Sequence, residues 1–297
     1  MISKVTVKAP AKINLFLDIL NLREDGYHNV NMVMQSVTLF DTVIIEKMDD
    51  FRIDLTFSKY KFLNDVKNIE KNTAYIAVEK FFEFTKIKKI GLKINIIKNI
   101  PVCAGLAGGS ADAAAVLIGL NEMFNTKLSK ADLALIGKEI GADVPFCIFG
   151  GTMLATEKGT KLMPLNYMPF CYFVLCKPKK KVSTKLAYEA SDSVYHEPRN
   201  LESIMNAINS KSLKRLSNEV FNSFEEVLKI KEVEKIKNIM VQNGALSACM
   251  SGSGPTVYGI FFRKNDAFLC QKKLRSFYSE VFICQTQKFG SKIYKAE

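Results

Sequence analysis

Apolar and polar residues alternate from Lys4 to Leu20 (KVTVKAPAKINLFLDIL), the period of a half-buried strand. The alternation runs on both sides of Pro10. Since proline cannot donate to a sheet ladder, the pattern predicts two strand pieces broken there. Lys12 and Asn14, two positions apart, then share a face. MVMQSVTLFDTVIIEKM (32–48), GLKINIIKNIP (91–101), PFCYFVLC (169–176) and EVFICQT (280–286) carry the same strand character, and ALSACMSGSGPTVYGIFF (245–262) reads as strand, glycine turn and strand.

Helical spacing takes over elsewhere. NTAYIAVEKFFEF (72–84) and the alanine-rich SADAAAVLIGLNEMF (110–124) are predicted helices, the second with Ser110 as its N-cap. LSKADLALIGKEIG (128–141) has a capping pair in Ser129 and Asp132 and a stop at Gly141. NLESIMNAI (200–208) and NSFEEVLKIKEVEKIKNIMVQNG (222–244) are helical, and Lys179 to Arg199 reads as a mobile polar connection. Strands and helices mix in both halves, so the expected class is α+β, with two domains divided at residue 160 (1–160 and 161–297).

Composition narrows the setting. The chain is 48% hydrophobic and 24% charged, as folded soluble proteins are, and no apolar run reaches the length of a membrane span. The first residues lack the apolar core of a signal peptide, which makes a cytoplasmic location the expectation. Seven cysteines without a CxxC pair fit reduced thiols, and with only His28 and His196 a zinc site is not expected. The net charge of +12 suits either nucleic acid or an anionic small molecule. The one local lysine run, at Lys177, Lys179, Lys180 and Lys181, has no aromatic RNA-binding signature beside it and reads as a solvated loop, so neither a nucleic-acid nor a membrane partner is expected.

Three features could carry chemistry. In PVCAGLAGGSADAAA (101–115) a strand feeds a glycine-rich turn that opens a helix. Free N–H groups at the positive end of a helix suit phosphate, and a plain strand-to-helix turn suits the same residues. GxxxxGK[ST], GxGxxG, HRD and DFG are all missing. Asp143, in GADVPF, follows a helix C-terminus, where a carboxylate is disfavoured unless a cation compensates. Pro145 is expected to hold Val144 extended, so the turn is stiff and Asp143 is either a turn residue or a positioned base. Lys12 is either an edge lysine or a buried one needing a carboxylate such as Asp143.

The order PAKINLFLDI, IPVCAGLAGGSADAAA, GADVPF, MSGSGPTVYGIF resembles that of the GHMP small-molecule kinases from near residue 8 to about residue 262. DGYHNVNMVMQSVTLFDTV, NTAYIA and NSFEEV resemble the branch whose acceptor is the cytidyl diphosphate of methylerythritol. The resemblance implies a domain like ribosomal protein S5 domain 2, a ferredoxin-like C-terminal domain, a site between them, and ATP and magnesium (Mg2+) as cofactors. It implies a small-molecule substrate and a monomer or homodimer. ATP phosphates would lie on Pro101, Val102, Cys103, Ala104, Gly105, Leu106, Ala107, Gly108, Gly109, Ser110 and Ala111, with Ser110 also at the metal. Asp143 would take the proton of the acceptor hydroxyl and Lys12 would hold Asp143 and the developing charge. Tyr27 and His28 would recognise cytosine, Tyr188 would be the opposite stacking face, and Asn14 and Asn72 would orient the polyol and the neighbouring loop. Cys103, Ala104 and Ala107 stand where many relatives of this kind have glycine, and Asp112 is expected to face away from the phosphates.

Overall fold

The computed structural model describes residues 2–58, 63, 69–194 and 197–297 of the chain, so His196 lies outside the described residues. The framework is a long antiparallel pair, β1 (Lys4–Leu22) and β2 (His28–Met48), joined through the Asp25-Gly26 turn. β1 is not broken at Pro10. The strand runs through, and its register against β2 shifts between Pro10 and Lys12, which absorbs the missing donor in an irregularity rather than a break.

The chain then adds β3 (Ile53–Phe57), α1 (Thr73–Thr85), β4 (Gly91–Ile97), α2 (Gly108–Met123), α3 (Lys130–Ile140), α4 (Val144–Phe149), β5 (Thr152–Thr156) and β6 (Lys161–Pro164). It continues through β7 (Tyr172–Lys177), α5 (Thr184–Ser191), α6 (Leu201–Asn209), α7 (Leu213–Asn218), β8 (Phe221–Asn222), α8 (Ser223–Leu228) and α9 (Lys231–Gln242). β9 (Ser247–Met250), β10 (Val257–Phe261), α10 (Lys264–Arg275), β11 (Glu280–Gln285) and β12 (Lys292–Ala296) complete it.

Among the described residues the strands form two sheets. The larger has the path β12-β1-β2-β4-β3, with β5 and β6 branching from β2 and β8 lying parallel to β1; the smaller is β11-β7-β10-β9. The larger sheet thus takes β6, just past residue 160, and β12 from the far end of the chain. A bridge between Val37 and Thr286 ties the sheets together.

α2 is the central helix of the larger layer. Its alanines Ala111, Ala113, Ala114 and Ala115 and the side chains of Val116, Leu117 and Leu120 are fully buried. Small residues let it lie close to the sheet: a Cβ on Gly119 would stand 2.6 Å from Ile45 Cδ1. Each buried leucine or valine here contributes about 1.5–3 kcal/mol. The smaller sheet is packed by α9 and α10, whose Val233, Ile236, Met240, Ala267, Cys270 and Leu274 face inward. All seven cysteines are free, and burial pushes the thiols of the six inside the protein up, leaving them as small hydrophobes.

Three local expectations change. The connection from Lys179 to Arg199 contains α5, capped by the Ser183 side chain and anchored by buried Ala187. The helical stretch 222–244 is interrupted where Lys229 turns left-handed (φ 43°), giving α8 and α9. Val144 is helical rather than extended, because α4 starts there with proline in its first turn, where no N–H is needed.

Candidate active site

One cavity of about 940 Å³ gathers most of the residues singled out above, including Lys12, Tyr27, His28, Asn72, Asp143, Tyr188 and the loop 101–110. Leu106 and Ala111, both from the predicted phosphate stretch, are buried behind that wall instead of lining it.

The loop leaves β4 and enters α2. Ser110 is not the N-cap: the helix begins two residues earlier, with Ala107 in the cap position and no side chain capping it. Ala111 N–H already bonds to Ala107 O, so the amides of Gly108, Gly109 and Ser110 are the open donors of the first turn. Positive φ occurs at Cys103 (53°), Gly105 (73°) and Ala107 (57°). Gly105 has a second reason to be glycine, since a Cβ there would meet the Ser251 carbonyl oxygen at 2.0 Å. The Ser251 hydroxyl donates to Gly105 O at 3.0 Å, and Lys12 N–H donates to Leu106 O at 3.2 Å, so the 251–254 turn and β1 pin the loop. Ala107 bears left-handed strain that glycine would not. Ala107→Gly is expected to raise stability by about 0.5–1 kcal/mol, read as a higher urea midpoint with an unchanged slope.

Lys12 is 4% exposed, paired with Ser36 of β2 on one side and bonded to the 101–110 loop on the other, which removes the exposed edge-lysine alternative. Its Nζ donates to Asn14 Oδ1 at 2.6 Å and stands 3.8 Å from Asp143 Oδ2. Asn14 is fully buried behind Lys12 and does not line the cavity. Asp143, past the end of α3, occupies the cap position of α4 without using its carboxylate as a cap. The carboxylate lies between the end of α3 and the start of α4, with a lysine beside it, so two helix ends and a cation set its electrostatics.

Asp112 does not face away from the cavity: it borders it, 4% exposed, with Lys98 Nζ 2.6 Å from its Oδ2. Lys98 also donates to buried Asp41, whose second oxygen accepts from the backbone N–H groups of Asn99 (2.5 Å) and Ile100 (2.8 Å). Burial drives the Asp112 carboxyl well above the ordinary carboxylate range, with Lys98 opposing and Asp41 reinforcing the rise. Its Oδ1 has no hydrogen-bond partner. Sequence reading missed this cluster because Asp41 and Lys98 are separated by 57 residues and look like ordinary strand-end charges.

His28 and Tyr188 meet as stacked rings, with centroids 5.2 Å apart and planes at 22°. Tyr188 in turn meets Phe224 edge-on at 5.0 Å. His28 Nε2 lies 2.7 Å from Asp192 Oδ1, a partner that sequence reading did not propose. Burial, with Asp143 adding to it, pushes the Tyr188 phenol up to about 12. Tyr27 is 60% exposed under the Lys158 ammonium, 4.8 Å from its ring centre, so the structure stacks Tyr188 on His28 and leaves Tyr27 outside that stack. Asn72 caps α1 through its side-chain oxygen and the Ala74 N–H.

Residues 72–151 match the GHMP kinase N-terminal domain, and residues 198–280 match the GHMP kinase C-terminal domain. The 4-diphosphocytidyl-2-C-methyl-D-erythritol kinase of Caldicellulosiruptor bescii is 44% identical over 94% of this chain and 97% of its own. That of Clostridioides difficile is 41% identical, covering 97% of both chains. A crystal structure of 4-(cytidine 5'-diphospho)-2C-methyl-D-erythritol kinase superimposes with a TM-score of 0.78 at 28% identity, covering 95% of this chain and 98% of the other. Homoserine kinase from Cytophaga hutchinsonii shares the fold, with a TM-score of 0.75 at 18% identity and coverage of 99% and 98%.

Proposed function

The chain belongs to the GHMP kinases, and from that premise we infer that it transfers the γ-phosphoryl group of ATP to the 2-hydroxyl of 4-diphosphocytidyl-2-C-methyl-D-erythritol. The products are ADP and the 2-phosphate, and the step belongs to the non-mevalonate route to isoprenoid precursors. The observation that carries the reading is that a helix-terminal anion cradle, a lysine–aspartate pair and an aromatic–histidine stack share one cavity.

The amides of Gly108, Gly109 and Ser110 point to phosphate binding by geometry and by helix polarity. Asp143 takes the proton of the 2-hydroxyl as its oxygen attacks the γ-phosphorus, and the bond to ADP breaks. Lys12, steadied by Asn14, holds the Asp143 carboxylate and offsets negative charge as it moves on to the transferring group. Tyr27, His28 and Tyr188 take the cytosine, with Asp192 fixing the His28 ring.

Among the described residues no group of three or more His, Cys, Asp or Glu side chains is placed to hold a metal ion. Magnesium, which binds chiefly through phosphates and waters, would take the Ser110 hydroxyl on the cavity wall as its protein oxygen. When bound it neutralises charge on the β- and γ-phosphates. No helix among the described residues is long and apolar enough to cross a membrane, and the free thiols suit a reducing cytoplasm.

Incubation with ATP, magnesium and the cytidyl acceptor is expected to release ADP in proportion to acceptor. Turnover of mevalonate, homoserine or galactose without turnover of the cytidyl compound would sink the assignment.

A further inference from the structure

The motif NSFEEV at 222–227 takes no part in the reaction as described, yet its first residue touches the site's framework from behind. Asn222 is 2% exposed. Its Nδ2 donates to Met250 O at 2.7 Å and to Gly252 O at 2.9 Å, while its Oδ1 accepts from Phe224 N–H at 3.0 Å and so caps α8. The turn 251–254 that it grips leads directly to the site. The Ser251 hydroxyl donates to Gly105 O and accepts from Asn14 N–H at 3.3 Å. A Cβ on Gly252 would stand 3.1 Å from Gly105 O and 3.5 Å from Lys12 Nζ. With glycine at 252 and 254, the turn is held from the site side by Ser251 and by Ser253, whose hydroxyl lies 2.9 Å from Thr184 Oγ1, and from behind by Asn222.

We propose that Asn222 is a positioning residue for phosphoryl transfer: its carboxamide holds the 251–254 turn as a wedge between the phosphate loop and the Lys12–Asn14 pair. The wedge sets the loop against β1, and therefore the γ-phosphate against the lysine–aspartate pair. Phe224, two residues on, supports Tyr188 on the acceptor side, so the first turn of α8 braces both substrates' walls. In-line transfer is sensitive to displacements below an ångström, whereas binding of either substrate alone is not. The kinetic part of this inference rests on the function proposed above.

Asn222→Ser keeps an oxygen able to cap α8 and replaces the two amide donations with at most one from a shorter hydroxyl; Asn222→Asp keeps the shape and the cap but turns a carboxylate oxygen toward two carbonyls. For each, kcat is expected to fall about 10- to 100-fold while KM for ATP and for the cytidyl acceptor stays within about threefold. Amide hydrogen exchange is expected to quicken in 103–106 and 251–254 and to stay unchanged in α2 and α9. Should the aspartate variant fail to fold, the serine variant decides. A folded Asn222→Ser enzyme with wild-type kcat overturns the proposal, as does a lowered kcat with unchanged exchange in both segments. If the wild-type enzyme does not phosphorylate the cytidyl acceptor, the functional reading falls, and the exchange pattern alone then supports or rejects the brace.

Discussion

Asp143→Asn is expected to lower kcat by two to four orders of magnitude while the Kd for ATP changes by less than about threefold. The amide has the carboxylate's shape but cannot take the acceptor proton. Little else should be lost, because Asp143 does not cap α4 and Lys12 keeps its 2.6 Å contact with Asn14. The variant should therefore fold, bind nucleotide and stall at chemistry. Single-turnover measurement of phosphoryl transfer with preformed ternary complex separates that step from binding. Near-normal single-turnover rates would remove Asp143 from the role of base.

Lys98→Met is expected to have the largest effect on stability, about 3–5 kcal/mol, since it leaves the carboxyl groups of Asp41 and Asp112 buried without their cation. The loss should depend on pH in a stated direction. In the folded protein the Asp112 carboxyl holds its proton to higher pH than in the unfolded chain, because burial disfavours its charge. The folded state then binds more protons, so this group favours folding at low pH and loses that contribution as pH rises from about 4 through its raised folded-state value. Without Lys98 to oppose the shift, the window widens upward. The deficit relative to wild type, measured by urea unfolding, should thus be smaller at pH 5 than at pH 8. An equal or larger deficit at pH 5 would mean that Asp112 is not the group taking up the proton.

Much of this architecture can be read from periodicity. The β1 and β2 strands stand out by their length, α1 and α3 by helical spacing, α2 by its alanine run, and the β9-turn-β10 hairpin by its glycine turn between apolar stretches. Errors fall where two physical tendencies compete. Pro10 signals a break, but a register shift within a long strand accommodates it. The residue before Pro145 should avoid helix, but proline is welcome in a first turn, and the need to start α4 wins. Ser110 is a good cap by type, yet the loop's left-handed residue at 107 starts the helix earlier. At the candidate site, Lys12, Asp143 and the glycine loop are each locally odd enough to be singled out, but each also suits a plain structural role, and only the order of motifs points beyond it. Asp41, Lys98, Asp192 and Asn222 were not legible, since each is an unremarkable polar residue whose meaning comes only from partners 57 to 164 positions away or from a turn that it grips from outside.

The pairing of β12 with β1 joins Val5 to Ala296 and Lys8 to Lys292. During synthesis the N-terminal strand therefore emerges long before its outer neighbour exists. Until residues 292–296 are made, β1 carries one unpaired flank from Val5 to Lys8, with the backbone groups of that edge open to another strand. The larger sheet cannot close on the ribosome as an early unit, and the nascent chain has an interval in which another strand could take that place. A peptide of sequence KIYKA supplied in trans is thus a candidate competitor for the edge while the chain is still being made.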